Sequence, residues 1–241
     1  MKFILGKKIT MTQVYRDDGS AVPVTKVAVG PCVVTQVKHP TRDGYAAVQV
    51  GFGRRRSAAK PQLGHTKGIG PFAVLREFRL DRAELEQLQV GDRIGVATFQ
   101  AGDQVKVTGT AKGRGFQGVV RRHHFAGSPK THGHKDQLRM PGSSGAGGVQ
   151  RVRPGKRMPG RMGGHQVSVK NLEVVAVDTQ ESALYLKGAV PGSPGSVLII
   201  QGPGSLQVEK AVTPPAATAG EKSEIHRTAS EAPRGEQGST A

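Results

Sequence analysis

Apolar and polar residues alternate along the first half of the chain at a period near two. Val22, Val24, Val27 and Val29 form one such run, with Lys26 out of phase, and Val33, Thr35 and Val37 form another. Period two marks strands, because successive side chains point to opposite faces of a sheet. Strands are expected over residues 2–5, 10–15, 22–29, 32–38 and 46–52. Asp17-Asp18-Gly19-Ser20, Gly30-Pro31, His39-Pro40 and Asp43-Gly44 punctuate them as turns. Residues 74–80, 93–99 and 104–108 continue the pattern, and after a long interval so do 166–170, 172–178, 183–187 and 196–201. Residues 81–88 read as a helical turn, with Asp81 as cap ahead of Glu84, Leu85 and Leu88. The polar segment 54–72 holds at most one short helix. The chain is therefore mainly β, an antiparallel sheet closed into a barrel or packed as a sandwich.

Over the interval from 112 to 170 no apolar period of 2 or 3.6 persists for long. Its 59 residues include 13 Lys or Arg, 13 Gly and a single acid, Asp136, so it carries +12 of the chain's formal +17. Such a segment cannot bury enough apolar surface to offset the entropy lost in ordering itself. It takes a fixed shape against a partner that neutralises it, and folded RNA is the polyanion whose irregular surface fits. A solvated basic loop is the alternative. It fits less well, because the non-basic residues are turn formers rather than the Ser, Glu and Gln of a linker. A structureless excursion this long is at odds with a compact domain unless a function orders it.

The candidate RNA-binding residues follow. Lys112 and Arg114 flank the glycines of Gly113-x-Gly115-x-x-Gly118, whose bare backbone can approach phosphate oxygens closely. Arg121, Arg122, His123, Lys130, His132, Lys135 and Arg139 come next. Arg151, Arg153, Lys156, Arg157 and Arg161 are spaced by Pro154, Pro159 and small residues, an extended thin run suited to bidentate phosphate contact and base stacking. Arg54, Arg55 and Arg56 are either a solvated cluster or a second phosphate contact.

Other chemistries find little support. The glycine pattern matches a dinucleotide loop, but that site also needs a parallel β-α-β unit and a ribose-binding acid. Here Gly127 and Pro129 interrupt the sequence before a crossover helix could form. The histidine pairs His123-His124 and His132-Gly133-His134 lack a thiolate and have one nearby carboxylate, so no metal and no cofactor are expected. No nucleophile–base pairing or carboxylate pair stands out, and no enzymatic activity or small-molecule substrate is expected. A nucleotide-using enzyme and a general nucleic-acid chaperone remain the rivals to an RNA-bound structural protein.

Composition narrows the setting. At 241 residues the chain suits one large domain or two small ones, and 36% apolar with 4% aromatic residues and no Trp leaves a core built on Val. A sequence pI near 10.5 argues for an acidic partner, nucleic acid before membrane. Cys32 is alone, which excludes an intrachain disulfide and fits a reducing compartment. Residues 1–5 are too short for a signal peptide's apolar region, and no run approaches the ~20 apolar residues of a membrane span. The expectation is a soluble, cytoplasmic protein. Residues 207–241, rich in Ala, Pro, Thr, Ser, Gly and Glu, read as a disordered tail without a clear function.

Several runs carry a family likeness. VTGTAKGRGFQGVVRRH over 107–123, Thr131-His132-Gly133, Pro141-Gly142-Ser143, Gly160-Arg161-Met162-Gly163 and residues 174–178 closely resemble bacterial members of the universal L-three family of large-subunit ribosomal proteins. LGKKITMTQVY over 5–15 and KGAVPGSPGS over 187–196 are similar to that family too, and the likeness runs in order over about residues 1–203. It implies an antiparallel β-barrel of the translation-protein type, with a small inserted α+β segment and a long basic extended loop. The barrel domain would comprise 1–111 with 166–206, the insertion 54–90, and the extended loop 112–165. The loop would begin at 112–123, turn near 143–156, and run through rRNA toward the peptidyl-transferase region. The resemblance also implies direct binding of large-subunit rRNA, nucleation of subunit assembly, neighbouring large-subunit ribosomal proteins as partners, and a place in the ribosome. One departure concerns the turn Pro141-Gly-Ser-Ser-Gly145, which Ala146 follows. Gln150 is out of register with the position at which some members carry a modified glutamine.

Overall fold

The period-two runs do form strands, and six of them close on themselves. The computed structural model describes residues 1–66, 68–145 and 147–210. In chain order the elements are β1 (Lys2–Tyr15), β2 (Ala21–Val29), β3 (Cys32–Lys38), α1 (Pro40–Asp43), β4 (Ala47–Arg54), α2 (Lys60–His65), β5 (Phe72–Arg79), α3 (Arg82–Leu85) and β6 (Arg93–Ile94). A 3₁₀ turn (Val96–Thr98), β7 (Gln104–Thr110), β8 (Phe116–Gln117), α4 (Val119–His123), β9 (Gly160–Arg161), β10 (Gln166–Asp178), β11 (Ala183–Lys187) and β12 (Val197–Gly202) follow. The barrel order is β1-β12-β7-β10-β11-β2, with every neighbouring pair antiparallel. Closure leaves the barrel without a free edge to recruit another chain.

A second antiparallel sheet, ordered β5-β4-β3-β6, lies between β2 and β7 in the chain. Sequence reading assigned 32–38 and 46–52 to the barrel and began the insertion at residue 54. The ladders correct this: β3 and β4 pair with each other and with β5 and β6, so the segment outside the barrel begins at Cys32. Alternation alone shows that a strand has a buried face but not which sheet buries it.

One continuous core joins the two sheets. Phe3, Ile4, Leu5, Leu184, Leu186, Leu198 and Ile200 from the barrel pack in the same cluster as Val34, Val48, Val50, Phe78, Leu85 and Ile94. The rings of Phe3 and Phe78 stack across the join with centroids 4.2 Å apart. Burial of such side chains, at roughly 25 cal/mol per Å² of apolar surface, is the main force holding the two sheets together.

Several strand boundaries move for identifiable reasons. Residues 2–5 and 10–15 fuse into β1, since Gly6 continues the strand rather than breaking it. A Cβ at Gly6 would come within 2.7 Å of Val27 Cγ1 and 2.8 Å of Val29 Cγ1, so the glycine serves close strand packing. Residues 166–170 and 172–178 fuse into β10, with a bulge between Val169 and Leu172 that takes up Asn171 at φ 59°. The expected strand 93–99 is cut to Arg93–Ile94. Thr98 Oγ1 donates to Gly95 O at 3.0 Å and winds the rest into the 3₁₀ turn. Asp81 stands at the N-cap of α3 without a side-chain capping bond, and Leu85 and Leu88 supply its anchoring instead.

The tail begins later than expected. Glu209 and Arg93 exchange both backbone hydrogen bonds at 2.9 Å, Gln207 O accepts from Thr98 Oγ1 at 3.1 Å, and Leu206 and Val208 pack on the core. Residues 207–210 thus belong to the second sheet's edge. The remainder of the expected tail, 211–241, lies outside the described residues.

Candidate nucleic-acid interface

The basic stretch leaves the barrel between two paired strands. β7 and β10 run antiparallel up to the pair Thr110–Gln166. Beyond it the backbone ladder continues: Ala111 N–H donates to His165 O at 2.9 Å, Gly164 N–H to Ala111 O at 3.1 Å, and Arg114 N–H to Met162 O at 2.9 Å. Met162 N–H then donates to Gly115 O, and β8 pairs with β9. The root of the extension is therefore a two-stranded ribbon growing out of the barrel wall. Gly163 lies at φ 74°, where a Cβ would run into the Lys112 carbonyl, so the ribbon's tight crossing needs a glycine there.

α4 caps the ribbon. Val119 is buried, while Arg122 Nη1 donates to Met158 O at 2.7 Å and His123 Nε2 lies 3.1 Å from the same carbonyl. These two side chains pin the outgoing strand to the returning one. Beyond them regular structure ends. Ser128 N–H reaches Leu138 O at 3.1 Å, and Lys156 Nζ donates to Ser143 O at 3.0 Å. The excursion is thus folded by isolated bonds rather than by ladders or a core.

The candidate side chains face outward. Lys112, Arg114, Arg121, Lys130, His132, Lys135, Arg139, Arg151, Arg153, Lys156, Arg157 and Arg161 are exposed, and Arg122 and His123 are half-buried. Among the described residues no ion pair includes any Lys or Arg of 112–165. The whole stretch contains one acid, Asp136. Exposed apolar side chains accompany the charge: Phe116 is 76% exposed, and Met140, Val152 and Met158 are exposed as well. Free cations beside bare aromatic and apolar surface match what phosphates and unstacked bases require.

Arg54, Arg55 and Arg56 lie elsewhere, at the end of β4 in the second sheet, and are exposed. Among the described residues no hydrogen bond links them to the extension. Arg54 instead borders an apolar cleft with Phe52, Ile69 and Phe72. The Gly113–Gly118 glycines sit in the ribbon against the antiparallel β9, and α4 is five residues long, which is not the geometry of a dinucleotide loop. Among the described residues no three of His, Cys, Asp and Glu gather closely enough to hold a metal ion. No helix of the described residues is long and apolar enough to cross a membrane.

Sequence reading missed Lys8. It lies on β1, 8% exposed, and lines a cleft at the root of the extension with Lys112, Arg114 and His165. A lysine inside an alternating run reads as solvent-facing, and nothing near it in the sequence signals its burial.

Comparison with known proteins supplies a family. Residues 74–191, which span the whole extension, match the Ribosomal protein L3 family. The large ribosomal subunit protein uL3 of Dehalococcoides mccartyi is 45% identical over 199 residues, covering 82% of this chain and 96% of that protein. The same-named protein of Pelotomaculum thermopropionicum is 48% identical over 204 residues, with 83% of this chain and 96% of the relative covered. That of Synechococcus sp. is 47% identical over 203 residues, covering 82% and 93%.

Proposed function

Since the chain belongs to the ribosomal protein L3 family, we propose that it is a structural constituent of the large ribosomal subunit that binds large-subunit rRNA through residues 112–165. The barrel and second sheet form the self-sufficient body. The extension neutralises rRNA phosphates in the subunit interior, toward the peptidyl-transferase region, and holds RNA helices together there. By joining distant RNA segments early, it nucleates subunit assembly, with neighbouring large-subunit proteins packed around it. Its work is binding, and no step of chemical catalysis is assigned to it. Its place is in the ribosome.

What supports this reading above all is unpaired charge. The extension carries 12 Lys and Arg against one acid, none in an ion pair among the described residues. Like charges held this densely repel one another unless a polyanion intervenes. RNA binding that engages about 8 phosphates gives a log–log salt slope of about −6 to −7. The test is co-sedimentation of tagged full-length protein, and of a form lacking 112–165, with large subunits at low and high salt. Full-length protein should stay with the subunit through the salt wash while the shortened form is released. Full-length protein running free at the top of the gradient would overturn the reading.

A further inference from the structure

Lys8 is a buried cation with no matching anion among the described residues. Its Nζ donates to Val190 O at 2.9 Å and to Gly192 O at 3.2 Å. An ammonium has three N–H groups, so two carbonyls leave one donor open. Among the described residues no ion pair reaches Lys8, Lys112 or Arg114. The cleft these three share with His165 has a volume of about 390 Å³, and its other walls are Gly, Ala, Val, Pro and Met, without a carboxylate. Burial, and after it the nearby charge of Lys112, pushes the Lys8 pKa below that of an ordinary lysine.

A charge removed from water at such a place is costly unless an opposite charge joins it. The ion pairs elsewhere in the described residues show how the chain handles this when its own acids suffice: Lys2 meets Asp103 at 2.9 Å, and Lys38 meets Glu77 at 2.6 Å. At the root cleft no acid lines the walls and three cationic side chains converge. Building on the rRNA-binding reading above, we propose that this cleft seats a single RNA phosphodiester, with Lys8 as its buried floor and Lys112 and Arg114 as its exposed rim.

RNA is the source of the phosphate because the rim is continuous with the rest of the interface. Lys112 and Arg114 open the basic extension, and the bare ring of Phe116 follows two residues later on the same ribbon. A strand whose phosphate rests on Lys8 has a surface for a base immediately beside it. The seat also has a mechanical meaning. Lys8 belongs to the barrel and Lys112 and Arg114 to the extension, so one phosphate bridges the rigid body and the part that enters the RNA.

The test uses the full chain and transcribed large-subunit rRNA across a KCl series, with thermal melts of each protein. Lys8→Met keeps the length of the side chain and removes its charge. It should fold with an unchanged or higher Tm, lose about ten-fold in affinity, and make the salt slope shallower by about one. Lys112→Ala, an exposed change outside the core, should shift the slope in the same direction. The two together should be less than additive, because both serve one phosphate. A folded Lys8→Met with wild-type affinity and slope, beside a steep wild-type slope, overturns the seat and leaves the rRNA reading standing. If Lys8→Met does not fold, a wild-type slope for Lys112→Ala overturns it in its place. A wild-type slope shallower than about −2 defeats the rRNA reading and the seat with it. Finally, inorganic phosphate at constant ionic strength separates the sources. If it raises Tm in wild type alone while Lys8→Met binds rRNA normally, the seat takes free phosphate and the RNA assignment falls.

Discussion

In the barrel and its neighbouring sheet, five of the cations meet acids of the same body. Lys2 meets Asp103, Lys187 and Arg16 share Glu173, Lys26 meets Glu181, and Lys38 meets Glu77. In 112–165 none of the Lys and Arg side chains takes part in an ion pair among the described residues, and the only acid is Asp136. The two regions also differ in what holds their backbone. The barrel has ladders on both sides of every strand and a shared apolar core, while the excursion beyond α4 has scattered single bonds. The body's sequence specifies its shape by itself. The extension's sequence specifies only part of a shape, and on the proposed reading RNA supplies the rest.

The sharpest way to break this comparison is to cut the regions apart. Replacing 111–165 with an Asn-Gly turn leaves Thr110 and Gln166, which already pair, to close a β7–β10 hairpin. The shortened protein should melt within a few degrees of the full chain, while its rRNA salt slope falls from about −6 or −7 to shallower than about −2. Failure to fold would show that the body depends on the extension. Amide exchange on the free protein comes next. Amides of Val107, Leu184 and Ile200 should exchange orders of magnitude more slowly than those of 125–157. Equal protection would mean that the extension orders itself without RNA.

Smaller effects sharpen the contrast. Ile200 is fully buried and paired with both Ile4 and Val107. Ile200→Ala should cost about 2–5 kcal/mol of stability, read from denaturant melts, without changing the salt slope of the folded fraction. Acid should weaken the body through Glu77. Its hydrogen bond from Lys38, and then one from Tyr45, outweigh burial and hold the Glu77 carboxyl below the usual range. A depressed folded-state pKa gives stability that is complete above the unfolded value, about 4.3, and is lost as pH falls through the folded value. Tm should therefore drop on acidification below that point, and Glu77→Gln should flatten the drop. The smallest expected effect is none at all: removing 212–241 should change neither Tm nor salt slope.

How much of this was legible in the sequence follows from what each signal measures. Period two located nearly every strand, because each has one buried face. It could not assign β3 and β4 to their sheet, since Val34 and Val50 would be buried in either. It also split β1 at Gly6 and β10 near Asn171, where a close approach and a bulge continue a strand across residues that read as breaks. The outward-facing cations of the extension were legible because charge without apolar neighbours has nowhere to go but out. Lys8 was not, because burial of a lysine depends on Val190 and Gly192, which are 182 and 184 residues away in the chain.

Barrel closure has a consequence in time. β1 finds its second neighbour only when Lys2 pairs with Gly202, at nearly opposite ends of the described chain. A ribosome adding about 5–20 residues per second finishes β7 at Thr110 and needs on the order of 10 s more to deliver β12. Throughout that interval β1 and β7 present open edges, and the most basic segment of the chain emerges in the middle of it. The newborn protein thus exposes its most basic segment before its own barrel can shut.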